Sequence, residues 1–481
     1  MSTVLPTDTV LVQRDGVLYH ASSDMSTLQD TDVLLINRGG TDYHCSFADW
    51  KASQIPPTAT YGWNAETDVY DRDDVAERDI STHVGMRRCL VTDAGAVTYL
   101  DADDSTKLAG DWLRLCETTE LNTAYTGTHG AEVANTGLRA AAPAWAAGTF
   151  NKGQRVTHNG NVWECIATTT TATPAAGTSA ATLNGSAGQV MVEVPRFSVW
   201  HETAPAGLYQ EHTFHLTKGT KTDDGYSVHP AFVKPDGSTR DFFYIGAYLS
   251  TGANGNGSAS GVNNITNFTR AACRTACAGR GAGWHLLGYW EYNALQWLLI
   301  TEYQDINSQR VLGNGSMGGG TFELNTGLSN GRGNRCGQVT GGSDADYVSY
   351  RGVENIYGRA WQFVDGFNAD GTNIYLNNNP AQWADDTSTN YTANGFVPTS
   401  SSDYQRDVMN TVALLPSSVT GASATTFTGD GLWTDTGWRV AVVGGSAVTD
   451  TTVGALCILL TRASSFLGTG HGGRLAYSVQ S

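Results

Sequence analysis

Apolar and polar residues alternate over short runs along most of this chain, the two-residue period of strands. The densest instance is Arg351 to Phe367, RGVENIYGRAWQFVDGF. Trp361 and Phe363 alternate there with Gln362 and Val364, which places both aromatics on one face of a short strand. Gly358 before it and Asp365-Gly366 after it read as turn punctuation. Large aromatics are mostly buried, so this stretch predicts a core strand with tight turns.

Residues 1–52 repeat themselves. Asp8 to Gly16 followed by Tyr19-His20-Ala21-Ser22 recurs as Asp32 to Gly40 followed by Tyr43-His44-Cys45-Ser46. Each copy predicts a β-hairpin with its turn at the glycine, and matching repeat positions explain the twin histidines better than metal ligation does. Two such units cannot bury their faces alone, so this arm is expected to pack on another subunit or protein. Residues 53–85 are polar and carry an acidic run from Asp68 to Glu77, which reads as a linker or exposed turn region. Met86 to Asp104 predicts two strands around Asp93-Ala94-Gly95, and Leu108 to Leu121 a short helix.

Residues 142–182 read as a separate small unit of short strands and glycine turns. The flanks, Thr126 to Val133 and Asn184 to Val194, echo each other, so the unit is inferred to sit in a loop of a larger domain that resumes at Gly188. Strands are then predicted over Gln189 to Pro195, Phe197 to Trp200, Tyr226 to Phe232 and Phe242 to Tyr248. Helices are predicted over Asn267 to Ala278, closed by Gly279, and over Tyr289 to Tyr303, where Trp290, Ala294, Trp297 and Leu298 share a face. A glycine-rich excursion, Gly313 to Gly342, precedes the dense stretch.

Composition narrows the class. The 481 residues are 40% hydrophobic but only 16% charged, with 56 glycines, which fits a loop-rich, mostly β protein. A net charge of -17 disfavours nucleic acid and anionic lipid as partners. The longest apolar run, Gly454 to Leu460, falls well short of the about 20 residues a membrane helix needs. No secretory signal pattern opens the chain, so synthesis in a cytoplasm without membrane insertion is expected. None of the eight cysteines forms a CxxC pair. Cys273 and Cys277, four apart on a predicted helix, could share a metal or lie as buried thiols; no histidine or second pair at ligand spacing accompanies them, which favours thiols.

Three resemblances follow from these patterns. The N-terminal repeat resembles attachment segments of tail and fibre proteins of marine tailed phages. Trp145, Phe150, Val156 and Trp163 fit the aromatic spacing of small chitin-type carbohydrate-binding modules. In that resemblance, Trp145, Phe150 and Trp163 either hold the fold or stack on glycan. The set GWHLLGYWEYNALQWLL, SYRGVENIYGRAWQFVDGF, Gly437 to Ser446 and Gly472 to Tyr477 resembles the C-type-lectin-like fold of the formylglycine-generating-enzyme type. It is similar above all to the phage version, in tail receptor-binding proteins and variable ligand-binding proteins of the major-tropism-determinant kind. The implied class is α+β: a β-rich C-type-lectin-like domain over 183–481 with two helices, a small all-β module over 142–182, and an N-terminal hairpin-repeat arm over 1–52. Residues 53–141 supply a linker and the first part of the main domain.

The enzymes of this fold use paired reactive cysteines near the C-terminus with metal; here only Cys457 lies there, inside an apolar run. Gly358 to Phe363 lacks the acidic residue of the matching enzyme segment, and Asp365 and Asp370 read as turn aspartates. Calcium-binding lectin loops are not matched; Asp344-Ala345-Asp346 and Asp68 to Asp74 could bind calcium by composition or be solvated turns. No catalytic residue, cofactor or metal is assigned. Trp433, Ser464, Phe466 and His471 are the candidate ligand contacts, rigid aromatics beside small hydroxyl residues; Trp438 reads as core. The expectation is a non-catalytic virion tail-fibre or receptor-binding protein that recognises host cell-surface glycan or a protein receptor. It would contact other virion proteins through its arm, and a homotrimer is what the family implies. The alternative is a structural capsid-decoration or fibre protein.

Overall fold

The computed structural model describes residues 9–14, 17–20, 33–38, 41–46, 58–72, 78–118, 132–316, 321–339, 347–399 and 403–479, with side chains from residue 60 onward except those of Val339 and Asp450. The chain forms two units, 1–57 and 58–481. In the first, Val17–His20, Thr9–Arg14, Val33–Arg38 and Thr41–Ser46 lie in that order in one sheet. Arg14 faces Val17 and Arg38 faces Thr41, and the leading strands of the two repeat copies pair antiparallel, Leu11 opposite Leu35. The turn glycines and the side chains of His20, His44 and Cys45 lie outside the described residues, as do residues 119–131, which hold most of the first echoing flank, and Asp344-Ala345-Asp346.

The second unit begins earlier than the sequence suggests. Thr58–Asn64 is a strand, not a linker. Tyr61 and Trp63, 0% and 1% exposed, alternate onto one face and stack on Phe214 at 5.5 Å and His212 at 5.3 Å. Their partner strand Tyr209–Lys218 belongs to a long hairpin with Phe197–Ala206, and Val69–Arg72, exposed at three of its four positions, closes the sheet edge at the start of the acidic run, of which residues 73–77 lie outside the described residues. Only Ser227–Val228 of the Tyr226 to Phe232 stretch is strand; Pro230 cannot donate to a ladder and opens a single 3-10 turn instead.

A six-stranded sheet runs Trp284–Leu286, Leu475–Tyr477, Phe242–Gly246, Gln189–Pro195, Arg87–Val91, Val97–Tyr99. Gln189–Pro195 is central and buried at every position, hence its nearly unbroken apolar run. Met191 pairs with Cys89, so the chain leaves this sheet after Tyr99 and re-enters beside its own earlier strand. Between the two lies a small sheet, Arg155–His158, Asn161–Cys165 and Trp112–Arg114. The last is a strand where a helix was expected, and it comes from before residue 142; Trp112 packs with Val156, Trp163 and Cys165. Glu164 accepts from Arg87 at 3.0 Å and Arg155 at 2.9 Å, tying this sheet to the larger one. Burial alone would raise the Glu164 carboxyl, but the two guanidiniums outweigh it and hold it below the usual range.

A further, eight-stranded sheet surrounds Trp361–Ala369, which pairs with Asn373–Leu376 on one side and Arg439–Val443 on the other. Asp365-Gly366 does not end this strand. A bulge between Phe363 and Asn368 changes its parity: Trp361 and Phe363 face a core with Cys273, Val440 and Leu459, whereas Phe367 and Ala369 face the core around Tyr289. Gly366 sits in the bulge at φ +68, where a Cβ would lie 2.2 Å from the Asn377 carbonyl oxygen. Asp365 is buried and paired with Arg274 at 2.9 Å.

Helix Tyr289–Tyr303 lies between the sheets and is buried on every side, with only Trp290 half-exposed, so its apolar residues are not confined to one face. Helix Arg270–Ala278 is capped by Thr269, whose hydroxyl accepts from Ala272 N at 3.1 Å, and begins three residues later than predicted. Two five-residue helices, Thr136–Ala140 and Ser308–Leu312, accompany them. Arg474, 1% exposed, donates to Gln362 Oε1 at 2.9 Å and to the carbonyls of Gly246, Glu354 and Asn355 at 2.8, 3.0 and 2.7 Å.

Two stability predictions follow from this packing. Arg474→Met strands four buried acceptors and should lower the unfolding free energy in urea by ~3 kcal/mol or more; a loss below ~1 kcal/mol would contradict the role assigned to it. Burial pushes the His83 imidazole down to about 4 and those of His201 and His229 to about 3. Unfolding releases these groups to ordinary pKa values, so the unfolded state takes up protons first. Stability is therefore full above pH ~6.5 and falls as pH drops, by up to ~1.4 kcal/mol per pH unit for each histidine. Calorimetric Tm should decline from pH 6.5 to 5, and His229→Gln should flatten the decline; an unchanged slope would remove His229 from the account.

Candidate functional site

Strand pairing assembles one aromatic cluster. Gly431–Thr434 runs parallel to Ile458–Arg462, with Trp433 opposite Leu459. His471–Gly472 runs parallel to the start of Trp361–Ala369, with Trp361 opposite His471. Trp361 and Trp433 meet edge to face at 5.6 Å, Trp361 stacks on His471 at 6.4 Å, and Phe466 meets His471 at 4.7 Å. The Arg462 guanidinium lies over the Phe466 ring at 4.4 Å and donates through Nε to His471 Nε2 at 3.1 Å.

That bond fixes the imidazole. Nε2 accepts, so the proton resides on Nδ1, 3.4 Å from the Thr469 carbonyl. Burial, reinforced by Arg462, pulls the His471 pKa down to about 4, and the ring is neutral at physiological pH. His471 is 5% exposed. It serves as a rigid base under Phe466 and is not itself a surface contact, a correction to the sequence reading. Trp433 and Phe466 are half-exposed, and Ser464 donates its hydroxyl to the Asp386 carboxylate. Trp438 is half-exposed beside Tyr375 at 5.9 Å and is not core.

The other three candidates lie in a separate cluster. Trp163 is 7% exposed, its indole N–H donating to the His158 carbonyl at 3.2 Å, so it builds the small core and presents no face to a ligand. Phe150 is half-buried with its ring on Trp112 at 5.1 Å. Trp145 is half-buried against His158 at 5.2 Å. The structure thus brings Trp433, Phe466 and His471 together, with Trp361 and Arg462 added, and keeps Trp145, Phe150 and Trp163 apart from them.

The thiols, and the other groups singled out from sequence, are enclosed or held in turns among the described residues. The seven described cysteines are buried, and burial raises the thiols of Cys116 to about 12 and Cys336 to about 11. Cys273 and Cys277 place their sulfurs 3.9 Å apart in the core. Asp370 accepts from the Thr372 and Asn373 amides and is a turn residue. A row the sequence did not suggest runs from Asp407 to His212 at 2.7 Å and on to His201 at 2.9 Å, ending on the Thr411 carbonyl at 3.0 Å. A carbonyl, not a hydroxyl, stands where a nucleophile would be. The one available signal was the placement of His201 and His212 in facing strands of a hairpin. Among the described residues, no group of three or more His, Cys, Asp or Glu side chains is placed to hold a metal ion.

No protein-family model and no curated protein matches this chain. Among solved structures it is similar to variants of the Major Tropism Determinant. The P3c variant shares 13% identity over 68% of this chain and 80% of that chain, with a TM-score of 0.28. The I1 variant shares 13% over 69% and 80%, with a TM-score of 0.28. The U1 variant shares 14% over 93% and 92%, with a TM-score of 0.27. Likeness this distant defines neither fold nor function for this chain.

The cluster predicts a split between two neighbours. Phe466→Ala should cost under ~1.5 kcal/mol in urea denaturation because the ring is only partly buried, whereas Trp361→Ala, at a buried position, should cost ~3–5 kcal/mol. Equal losses would place Phe466 in the core.

Proposed function

We propose that this chain is a virion protein of a tailed phage, a tail-fibre or receptor-binding subunit that recognises a host-surface glycan or protein without catalysing a reaction. One observation carries the reading: Trp433 and Phe466 stand half-exposed on loops and strand ends, wedged from beneath by Trp361 and a neutral, hydrogen-bonded His471. Rigid aromatics held in this way bury contact area on binding at little entropic cost, and Ser464 adds a polar contact beside them. The enclosed thiols and the carbonyl-terminated histidine row favour recognition over chemistry.

In this reading residues 1–52 attach to the particle, and the small unit offers a second, weaker contact through Trp145 and Phe150. Several copies, three in a homotrimer, would multiply weak single contacts by about 10² to 10⁴. The test is adsorption of the labelled full-length chain to a panel of intact bacterial strains. At least one strain should bind it, and Trp433→Ala with Phe466→Ala should weaken binding about tenfold or more without changing the circular dichroism spectrum. Binding to no strain, or undiminished binding by the double variant, would overturn the proposal.

A further inference from the structure

A second concave feature lies on the same unit and takes no part in the aromatic cluster. It is a groove of about 400 Å³, within the size range of small-molecule sites. Trp290, Pro230 and Pro235 supply its apolar lining, and every other lining residue is neutral: Leu376, Thr392, and the amides at 377–379, 382, 390 and 394.

The groove is built, not incidental. Asn377 N donates to the Gly366 carbonyl at 2.9 Å, and Trp383 Nε1 donates to the Asn377 carbonyl at 2.9 Å. Asn377 Nδ2 donates to the Asn390 carbonyl at 2.7 Å, which joins the two ends of the loop. Asn378 Nδ2 donates to the carbonyls of Pro230 at 3.4 Å and Val233 at 3.2 Å, which ties this wall to the opposite one. Trp290 is half-exposed, with its ring braced edge-on by His229 at 6.1 Å and tilted against Tyr289 at 6.2 Å.

Half of the amide capacity is spent on this frame and half is not. Asn378 Oδ1, Asn379 Nδ2, Gln382 Nε2 and Asn394 Oδ1 make no hydrogen bond to any described residue, although the other end of each amide does. The groove therefore offers both open donors and open acceptors beside the Trp290 indole, with no ionisable group in its lining. Arg240 and Glu291 line only the adjoining pocket of about 10 Å³, room for a single water.

We propose that this groove binds an uncharged saccharide. A sugar hydroxyl both donates and accepts, as a primary amide does, and the C–H face of a pyranose can pack on Trp290. A uronate, phosphate or sulfate group would enter a lining with no cation to pair it. A proline-rich peptide offers mainly acceptors and would leave the amide oxygens of Asn378 and Asn394 unpaired. The site is independent of the aromatic cluster and of host recognition by it.

The test uses the full-length chain in isothermal titration and saturation-transfer NMR. The probes are a set of neutral hexose, pentose and deoxyhexose oligosaccharides, oligogalacturonate and decaproline. Saturable binding to at least one neutral oligosaccharide is expected, weakened about tenfold or more by Trp290→Ala. Because Trp290 also packs on the core, the Gln382→Ala, Asn394→Ala double variant must show the same loss with an unchanged Tm, and Val448→Ala, at an exposed position outside both features, must bind as the unaltered chain does. No saturable binding to any neutral sugar, full binding by the double variant, or stronger binding of oligogalacturonate or decaproline would overturn the proposal. Cell adsorption is not measured here, so failure of this groove leaves the host-recognition reading to its own test.

Discussion

A single buried guanidinium joins the two largest sheets of the second unit. Arg474 immediately precedes the strand Leu475–Tyr477 and reaches Gly246 in the neighbouring strand of that sheet, Gln362 in the strand Trp361–Ala369, and the Glu354 and Asn355 carbonyls of the loop before it. None of these acceptors carries a charge. Burial lowers the Arg474 pKa to about 10, so the group stays charged at neutral pH, and a charge taken out of water must have its donors filled. Four acceptors from three segments must therefore arrive together. That requirement fixes the relation of the sheets more tightly than apolar contact, which is non-directional, could do.

Other charges are used in the same manner. Arg351 pairs with Glu302 on the buried helix Tyr289–Tyr303 at 3.1 Å, and Arg270 reaches Asp385 at 2.9 Å as well as the Phe367 carbonyl at 2.6 Å. Buried ion pairs add little net stability over apolar replacements, but a mismatched register leaves each of them unpaired, which is costly. In a chain only 16% charged, at least 19 of the 75 charged residues are buried, where they act on specificity. Few charges remain for the surface, and its loops are rich in neutral polar residues and glycine.

This division explains what could be read from sequence. Helix Tyr289–Tyr303 and strand Gln189–Pro195 were legible to the residue, because long apolar runs bounded by Gly288 and Pro195 carry their own punctuation. The turn at Gly95 was legible for the same reason. Thr58–Asn64 was not, because its two aromatics are diluted by threonine, glycine and asparagine and gain meaning only opposite His212 and Phe214. Trp112 was misplaced because three residues are too few to show a period. The bulge at Asp365-Gly366 looked like a turn because both need a glycine at positive φ. At the candidate site the aromatic residues were visible, but His471 was expected at the surface and Trp163 was left open between core and ligand contact. Burial of a single aromatic is decided by its neighbours in space, Arg462 and Trp361 for the one, Trp112 for the other. The groove at Trp290 was invisible, since Asn-rich stretches read as loops and nothing local reveals which half of each amide is already occupied.

The strand Trp361–Ala369 links the two surface features. Its first residue stacks on His471 beneath Trp433 and Phe466, and its bulge residue Gly366 accepts the Asn377 amide that anchors the groove. Five residues of extended chain span at most roughly 17 Å, so one strand carries the backbone anchors of both features. Because the bulge reverses which side the odd-numbered residues face, a register slip along this strand would misplace both features at once. The absence of slack in Trp361–Ala369, buried at all nine positions, is therefore what allows neutral, loop-rich surfaces to keep a defined shape without disulfides between the described cysteines. A scaffold of this kind tolerates change in the loops as long as the strand and its arginine partners are kept, which separates what sets the fold from what meets a ligand.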